Sequence, residues 1–279
     1  MDSRVKEILD KSKKVVFFGG AGVSTESNIP DFRSESGLYK AMNDYGYSPE
    51  HMLSRTFFMK HTEMFFDYYK NNLIYPDAQP NKAHLALAKL EDEGKLIGVV
   101  TQNIDGLHQK AGSRKVFELH GSVLRNNCMD CGAYYDLDFI MQDENCEKGI
   151  PRCPKCGGTI KPDVVLYEEK LNQKVMAEAA EYLSKADMLI IGGTSLSVYP
   201  ASRLIRNYKG IRRVIINRCT FGMESMAPLV LEENITDVLS RITVHPVSEP
   251  SKLPEAESTH PEYPKGSGSS GFAGCPAAG

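Results

Sequence analysis

The sequence contains no long hydrophobic segment. No apolar run approaches the roughly 20 residues that a membrane-spanning helix needs, and the longest runs, at residues 15–18 and 188–191, are only as long as a short strand. The first residues carry no apolar core of the kind that an export signal has. These absences predict a cytoplasmic protein with no membrane partner.

A strong excess of charge of either sign is also missing. The formal net charge is -3 over 279 residues, of which 25% are charged. A protein whose obligate partner is nucleic acid needs a concentrated basic surface, so we expect no such partner. The seven cysteines stand in a chain without an export signal, which favours metal ligands or free thiols over a disulfide framework.

Short apolar runs, each followed by small or polar residues, recur along the chain. Four of these runs occupy residues 15–18, 96–100, 188–191 and 214–216. Stretches of helical character lie between them, notably at residues 82–93 and 173–185. This alternation predicts an α/β fold with a doubly wound, Rossmann-like parallel sheet. Ligands of such sheets bind beyond the carboxyl ends of the strands.

The alternation of strands and helices is interrupted twice. Residues 31–75 are rich in Phe, Tyr and Met at helical spacing and predict an inserted helical lobe, whereas residues 123–157 hold paired cysteines and predict a small metal-binding module. The remaining Rossmann-like domain is then discontinuous and consists of residues 1–30, 76–122 and 158–245. Residues 248–279 end in a Gly/Ser stretch that resembles an engineered linker, which predicts a disordered or engineered tail.

The metal-binding module carries two identical cysteine pairs, Cys128-x-x-Cys131 and Cys153-x-x-Cys156. Each pair can place two thiolates on one tight turn, and two such turns complete a tetrahedral sulfur cage for zinc. Four cysteine ligands leave no open coordination position, so we predict one structural Zn²⁺, in a zinc-ribbon module, rather than a catalytic one. Two redox pairs, or ordinary buried cysteines, are the alternative interpretation.

A glycine-rich turn follows the first predicted strand, in the segment Gly19-Gly20-Ala21-Gly22-Val23-Ser24. Glycines allow the backbone to approach a pyrophosphate, and a helix that begins there offers unpaired N–H groups to the phosphates. The spacing departs from the ordinary dinucleotide fingerprint. On this motif alone, a turn that binds no nucleotide is an equal alternative.

Three further segments concentrate chemically active groups. Ile29-Pro30-Asp31-Phe32-Arg33 joins an anion, an aromatic ring and a cation after a rigid turn, and Thr101-Gln102-Asn103-Ile104-Asp105 ends a buried strand. Phe117-Glu118-Leu119-His120-Gly121 contributes a single histidine. Taken singly, the segment at residues 101–105 can also be read as a helix cap, and His120 as a structural or solvated histidine. Their combination with the glycine-rich turn favours a nucleotide site.

Taken together, the motifs resemble the sirtuin family. The resemblance runs in order from about Lys6 to Ile242 and also includes the cysteine pairs and Gly193-Thr194-Ser195-Leu196-x-Val198-x-Pro200. It implies an NAD-dependent protein-lysine deacetylase with NAD as co-substrate and acetyl-lysine-containing proteins or peptides as partners. The implied products are nicotinamide, deacetylated lysine and 2′-O-acetyl-ADP-ribose.

The resemblance also implies roles for individual positions. His120 takes the place of the family's general base, and Asn103 is the second catalytic candidate. The positions that match NAD-binding residues are Gly20, Ala21, Gly22, Thr25, Asp31, Phe32, Arg33, Gln102, Asn103, Ile104, Asp105, Gly193, Thr194, Ser195, Asn217, Arg218 and Ile235. A peptide substrate would add a strand between two protein segments. These segments match Val164, Val165, Leu166 and Tyr167 on one side and Leu196, Ser197 and Val198 on the other.

The chain departs from the family pattern in two places. Asn28 stands where many sirtuins have glycine, and asparagine tolerates a positive φ better than most residues. Tyr167-Glu168-Glu169 replaces the commoner Phe-Gly-Glu at the implied wall of the acyl tunnel.

The acyl preference follows from a missing arginine. Some sirtuins that remove acidic acyl groups carry a Tyr and, three residues later, an Arg in the helical lobe. The corresponding stretch of this chain contains Phe65, Phe66, Tyr68, Tyr69 and Lys70. We therefore predict a preference for acetyl over succinyl groups.

Two other functions stay open at this point. A mono-ADP-ribosyltransferase would use the same NAD site with a different nucleophile. A non-enzymatic NAD-sensing zinc scaffold is a second alternative, although it leaves His120, Asn103 and Asp105 without a task. The sequence makes no prediction of the oligomeric state.

Overall fold

A computed structural model describes residues 3–30, 42–220 and 222–242 of the chain. Its strands are β1 (Val15–Gly19), β2 (Leu96–Thr101), β3 (Val116–Glu118), β4 (Gly121–Cys128), β5 (Tyr134–Asp136), β6 (Cys146–Glu147), β7 (Ile150–Pro151), β8 (Ile160–Val164), β9 (Met188–Gly192), β10 (Arg212–Asn217) and β11 (Leu229–Glu232). Its α-helices are α1 (Ser3–Asp10), α2 (Pro49–Met52), α3 (Arg55–Lys60), α4 (Thr62–Asn72), α5 (Lys82–Asp92), α6 (Leu107–Lys110), α7 (Leu137–Met141), α8 (Gln173–Lys185) and α9 (Ile235–Ile242).

Six strands form one parallel sheet in the order β11-β10-β9-β1-β2-β3. The chain builds the sheet outwards from β1 to β3 on one side and from β9 to β11 on the other, so the order reverses between β1 and β9. This confirms the predicted doubly wound α/β fold, and it places the switch point, where ligands of such sheets bind, beside the carboxyl end of β1. Every residue of β1 and β9 is buried, as expected for strands covered on both faces.

Alternate residues of the strands feed two cores. Phe17 points into the core built with α1, α5 and α9, whereas Phe18 points into the core built with α8 and the 3₁₀ helix Ala201–Asn207. This alternation is the period-two pattern of a strand. Among the described residues, no helix combines the length and the apolar character that a bilayer crossing requires.

The helical lobe and the cysteine-rich module share a third core. Aromatic side chains of α3 and α4, such as Phe57 and Phe65, pack in one cluster with Ile160 of β8 and with Cys128 and Cys153. The module itself is built on an antiparallel sheet in the order β5-β4-β8. The two predicted insertions therefore pack against each other through this shared core. Residues 31–41 of the predicted lobe and the predicted tail at 248–279 lie outside the described residues.

Two histidines are buried side by side beneath the sheet's ligand edge. The rings of His84 in α5 and His108 in α6 lie 4.8 Å apart, centroid to centroid, and both side chains are inaccessible to solvent. Burial lowers the pKa of His84 to about 4, and burial together with His84 lowers the pKa of His108 well below its usual value. Both rings are therefore neutral at pH 7.

This pair predicts loss of stability in mild acid. Between pH 6.5 and about 4, these rings take up protons in the unfolded chain but stay neutral in the folded chain. The free energy of unfolding therefore falls as the pH drops. Each proton contributes about 1.4 kcal/mol per pH unit. Urea unfolding at pH 7.5, 6 and 5 measures how steeply the free energy of unfolding depends on pH. A His108→Leu variant should show a weaker dependence. An equally steep slope in the variant would contradict the assignment.

Candidate active site

The glycine-rich turn after β1 packs backbone to backbone against the loop after β9. The Gly22 N–H donates to the Gly193 carbonyl at 2.8 Å. Gly193 has a φ of +60°, and a Cβ atom there would lie 2.5 Å from the backbone nitrogen of Val23. The helix expected after this turn is present as two short 3₁₀ helices, Ala21–Val23 and Thr25–Ser27. The expected tolerance of Asn28 is confirmed, because its φ is 62°.

A buried serine organises the polar end of β2. Ser24 Oγ donates to Asp105 Oδ2 at 2.7 Å and accepts from Asn103 Nδ2 at 3.0 Å. Asp105 Oδ1 also accepts from the N–H of Leu107, the first residue of α6, at 2.9 Å. Burial raises the pKa of Asp105, although the hydrogen bonds that it accepts from the Leu107 N–H and from Ser24 oppose this shift. Sequence analysis did not select Ser24 as a site residue, and the available signal was that it is the one hydroxyl in the glycine-rich turn.

His120 lies between β3 and β4 and is held from both sides. Its Nδ1 lies 2.9 Å from the Gln102 carbonyl oxygen, which can only accept, so Nδ1 carries the proton and Nε2 is the basic nitrogen of the neutral ring. The His120 carbonyl accepts from the Val165 N–H at 2.9 Å. The next residue must be glycine, because Gly121 has a φ of +78° and a Cβ there would lie 1.8 Å from the backbone carbonyl oxygen of Asp163.

These groups face one cavity of about 300 Å³. The sequence-predicted residues that line it are Gly20, Ala21, Gln102, Asn103, Ile104, Asp105, His120, Val164, Val165, Leu166, Tyr167, Gly193, Thr194, Ser195 and Val198. It is also lined by residues that sequence analysis did not select, among them Ser24, Leu53, Asn72, Leu73, Tyr75, Glu168 and Glu169. Leu53, Leu73 and Tyr75 belong to the helical lobe, so the lobe forms part of the cavity wall.

Other predicted positions are not among the residues that line the cavity. Asn217 donates to the Thr194 carbonyl at 2.7 Å and accepts from the Thr194 N–H at 3.0 Å, which fixes the loop after β9. Arg218 pairs with Glu26 at 2.9 Å, and the Ile235 side chain is buried in the core. Gly22, Thr25, Leu196 and Ser197 are likewise not among the lining residues. Asp31, Phe32 and Arg33 lie outside the described residues.

The arrangement suits a dinucleotide. The turn after β1 lies at the switch point of the sheet, where phosphates are bound in doubly wound folds. Beside it, Gln102 donates to Thr194 Oγ1 at 3.0 Å, which links the polar ends of β2 and β9. The cavity wall therefore combines a close-packed backbone turn with amides, a carboxyl group and an imidazole.

The four paired cysteines form one cluster. Their sulfur atoms all lie within 4.8 Å of one another, with 3.4 Å between Cys128 and Cys156 and 3.6 Å between Cys131 and Cys153. Tetrahedral zinc with Zn–S bonds of about 2.3 Å needs sulfurs about 3.8 Å apart, so the cluster fits one structural Zn²⁺. In each pair, the N–H four residues after the first cysteine donates to that cysteine's carbonyl, which forms the expected tight turn.

Comparison with known proteins gives a consistent result. The Sir2 family model matches residues 20–200. The NAD-dependent protein deacetylase of Clostridium acetobutylicum is 54% identical over 240 residues, which cover 86% of this chain and 97% of that protein. The corresponding protein of Clostridium tetani is 55% identical over 244 residues, or 87% and 98% of the two chains.

Solved structures agree with these relatives. A structure described as a complex of Sir2 with a p53 peptide and NAD+ is 35% identical to this chain, with a TM-score of 0.77 over 87% of this chain and 97% of the other. A second Sir2 structure is 40% identical, with a TM-score of 0.76 over 86% and 95%. The extent of these matches, over the same residues that build the cavity and the cysteine cluster, shows that the chain belongs to the Sir2 family.

Proposed function

We propose that the chain is an NAD-dependent protein-lysine deacetylase that passes the acetyl group to ADP-ribose. The observation that carries this proposal is that His120, the polar end of β2 and the glycine-rich turn line one cavity. The relatives at 54% and 55% identity are named NAD-dependent protein deacetylases. The products are nicotinamide, deacetylated lysine and 2′-O-acetyl-ADP-ribose.

NAD would lie across the carboxyl ends of the strands. The backbone of the glycine-rich turn would hold the pyrophosphate, and Gln102, Asn103 and Asp105 would line the nicotinamide end. Bound NAD supplies a good leaving group, nicotinamide, at the ribose carbon. His120 Nε2 accepts a proton from a ribose hydroxyl, a role that suits an imidazole whose other nitrogen is fixed by Gln102.

The acetyl-lysine peptide would enter between the segments 164–167 and 196–198. Val164, Val165 and Leu166 line the same cavity as His120, and Val198 lines it as well. A solved structure described as Sir2 bound to a propionylated peptide is 35% identical to this chain, and it supports an acylated peptide as the ligand here. Recognition through the peptide backbone would give a loose sequence preference.

The acyl preference gives a direct prediction. Among the described residues that line the cavity there is no Lys or Arg, whereas Phe65, Phe66 and Tyr69 are buried in the lobe's own core. A succinyl carboxylate would be desolvated there without a cation, so kcat/KM for acetyl-lysine should exceed that for succinyl-lysine by about tenfold or more. Parallel assays on two peptides that differ only in the acyl group measure the ratio. A ratio below one would contradict this account of the tunnel.

A labelled substrate separates deacetylation from the main alternative. With adenine-labelled NAD and an acetyl-lysine peptide, we expect label only in small-molecule products and a deacetylated peptide by mass spectrometry. Label attached to protein would instead support mono-ADP-ribosyl transfer. Binding of NAD without any product would support a non-enzymatic sensor.

We also propose a cytoplasmic location. Its support is the thiolate cluster, together with the half-buried thiol of Cys146 nearby in the module, since thiols persist in a reducing compartment. We expect no obligate nucleic-acid partner on the basis of the net charge. Fractionation of cells that express a tagged chain tests the location.

A further inference from the structure

The segment Tyr167-Glu168-Glu169, which departs from the family pattern, connects the cavity wall to the helical lobe. The Tyr167 N–H donates to the Leu53 carbonyl at 2.9 Å, and the Tyr167 carbonyl accepts from the Arg55 N–H at 3.0 Å. In the same wall, the Val165 N–H donates to the His120 carbonyl. A shift of the lobe relative to this segment would therefore change the width of the cavity in front of His120.

Glu168 has an unfavourable backbone conformation. Its φ is 76°, in the left-handed region that residues with a Cβ atom adopt only at a cost in free energy. Such conformations persist where other contacts compensate for them. The contacts of the Glu168 side chain show what compensates here.

The Glu168 carboxylate is fixed to the start of α3. Its Oε2 accepts from the Thr56 N–H at 2.8 Å and from Thr56 Oγ1 at 2.7 Å. These two bonds lower the pKa of Glu168, so the group is ionised at neutral pH. They also satisfy one of the N–H groups that a first helical turn leaves without an intrahelical partner.

The neighbouring carboxylate has a different role. Glu169 pairs with Arg55 at 2.9 Å and with Lys161 at 3.2 Å, and it accepts from the Leu166 N–H at 2.9 Å. Its charge is thus neutralised within the wall. Within the described part of the chain, Glu168 has no ion-pair contact within 4 Å, although Lys60 and His51 attract its charge from farther away. Its direct bonds go to Thr56.

We infer that Glu168 is a positioning residue: its bonds to Thr56 hold the cavity wall against the lobe and thereby set the affinity for the acylated peptide. This inference rests on the proposed function, because it concerns the same peptide site. The NAD end of the cavity, at the turn after β1, is formed by other elements. Loss of the Glu168–Thr56 contact should therefore weaken peptide binding and leave NAD binding unchanged.

The test compares Glu168→Ala with Glu168→Gln. Ala keeps the unfavourable φ and loses both bonds, so the peptide KM should rise by at least about tenfold, since the loss of even one charge-assisted hydrogen bond has about that effect. We expect kcat and the KM for NAD to be nearly unchanged. Gln retains an acceptor oxygen and should restore most of the affinity. Glu63→Gln, an exposed acid on α4, is the matched control and should leave the peptide KM unchanged.

A double-mutant cycle with Thr56→Val identifies the contact. If Glu168 acts through Thr56, the effects of Glu168→Ala and Thr56→Val on peptide binding should be clearly less than additive. Additive effects, or an unchanged peptide KM in Glu168→Ala, would overturn the inference. The inference would also be overturned if Glu168→Gln bound peptides with a Lys next to the acetyl-lysine as weakly as Glu168→Ala does, but bound neutral peptides normally. That pattern indicates a direct effect of the Glu168 charge on the peptide.

Binding of a fluorescent acetyl-lysine peptide, followed by anisotropy with NAD absent, gives the same comparison without catalysis. A wild-type protein that binds the peptide but forms no deacetylated product would refute the proposed function and leave this inference standing. A deacetylase whose Glu168→Ala variant binds the peptide normally would refute only the inference.

Discussion

Replacement of His120 by Ala should lower the deacetylation rate by about 100- to 10,000-fold, the usual contribution of a general base. The loss should appear in kcat rather than in the KM for NAD, because the ring is held by the Gln102 carbonyl and does not form part of the glycine-rich turn. Since the base acts after nicotinamide has left, the variant should still exchange labelled nicotinamide into NAD. Steady-state assays on peptide and NAD, together with this exchange assay, measure both effects.

A matched control excludes a general effect of losing a histidine. His61, at the start of α4, is exposed, and His61→Ala should keep nearly full activity. Undiminished deacetylation by His120→Ala would refute the assignment of the base. Equal loss of exchange and of deacetylation would show that His120 acts earlier than proposed.

Replacement of Cys128 by Ala should release the zinc and unfold the cysteine-rich module. Structural zinc sites of this type contribute about 10–16 kcal/mol of apparent binding energy to folding. Because Cys128 and Cys153 are buried in the same core as the aromatic side chains of α3 and α4, the damage should extend to the lobe and abolish peptide deacetylation. The zinc content, the melting temperature and the deacetylase activity should therefore all fall together.

Cys146 provides the control for the zinc site. It lies in the same module, in β6, but outside the four-sulfur cluster, and its sulfur lies 3.3 Å from Lys70 Nζ. Cys146→Ala should retain one zinc per chain and a nearly unchanged melting temperature. One zinc per chain in Cys128→Ala would contradict the four-cysteine assignment.

The sequence predicted those parts of the fold that local patterns determine. β1 and β9 are continuous apolar runs because both faces of the sheet are covered, so their residues alone identify them. β3 and β11 have only three and four residues, too few for a periodic signal, and their place at the sheet edges depends on tertiary packing. The 3₁₀ turns after β1 follow from packing against Gly193, which no local pattern reveals.

The candidate site shows the same division. The cysteine cluster follows from spacing, since each pair forms its own turn. The bridge from Ser24 to Asn103 and Asp105 joins residues about 80 positions apart, so only the folded chain displays it. Likewise, the lobe residues Leu53 and Tyr75 line the cavity, although no local pattern places them there. The roles of the predicted positions in NAD binding, including Thr25, Arg218 and Ile235, stay predictions.

The central claim is that an acetyl-lysine carbonyl and the ribose of NAD meet in the cavity beside His120. Incubation of the protein with NAD and a peptide whose acetyl group carries a heavy isotope tests it most directly, with the small-molecule products identified by mass spectrometry. The account predicts that the isotope appears on ADP-ribose, in an amount equal to the nicotinamide released. Isotope recovered as free acetate from the first turnover, or retained on the peptide while nicotinamide accumulates, would contradict it.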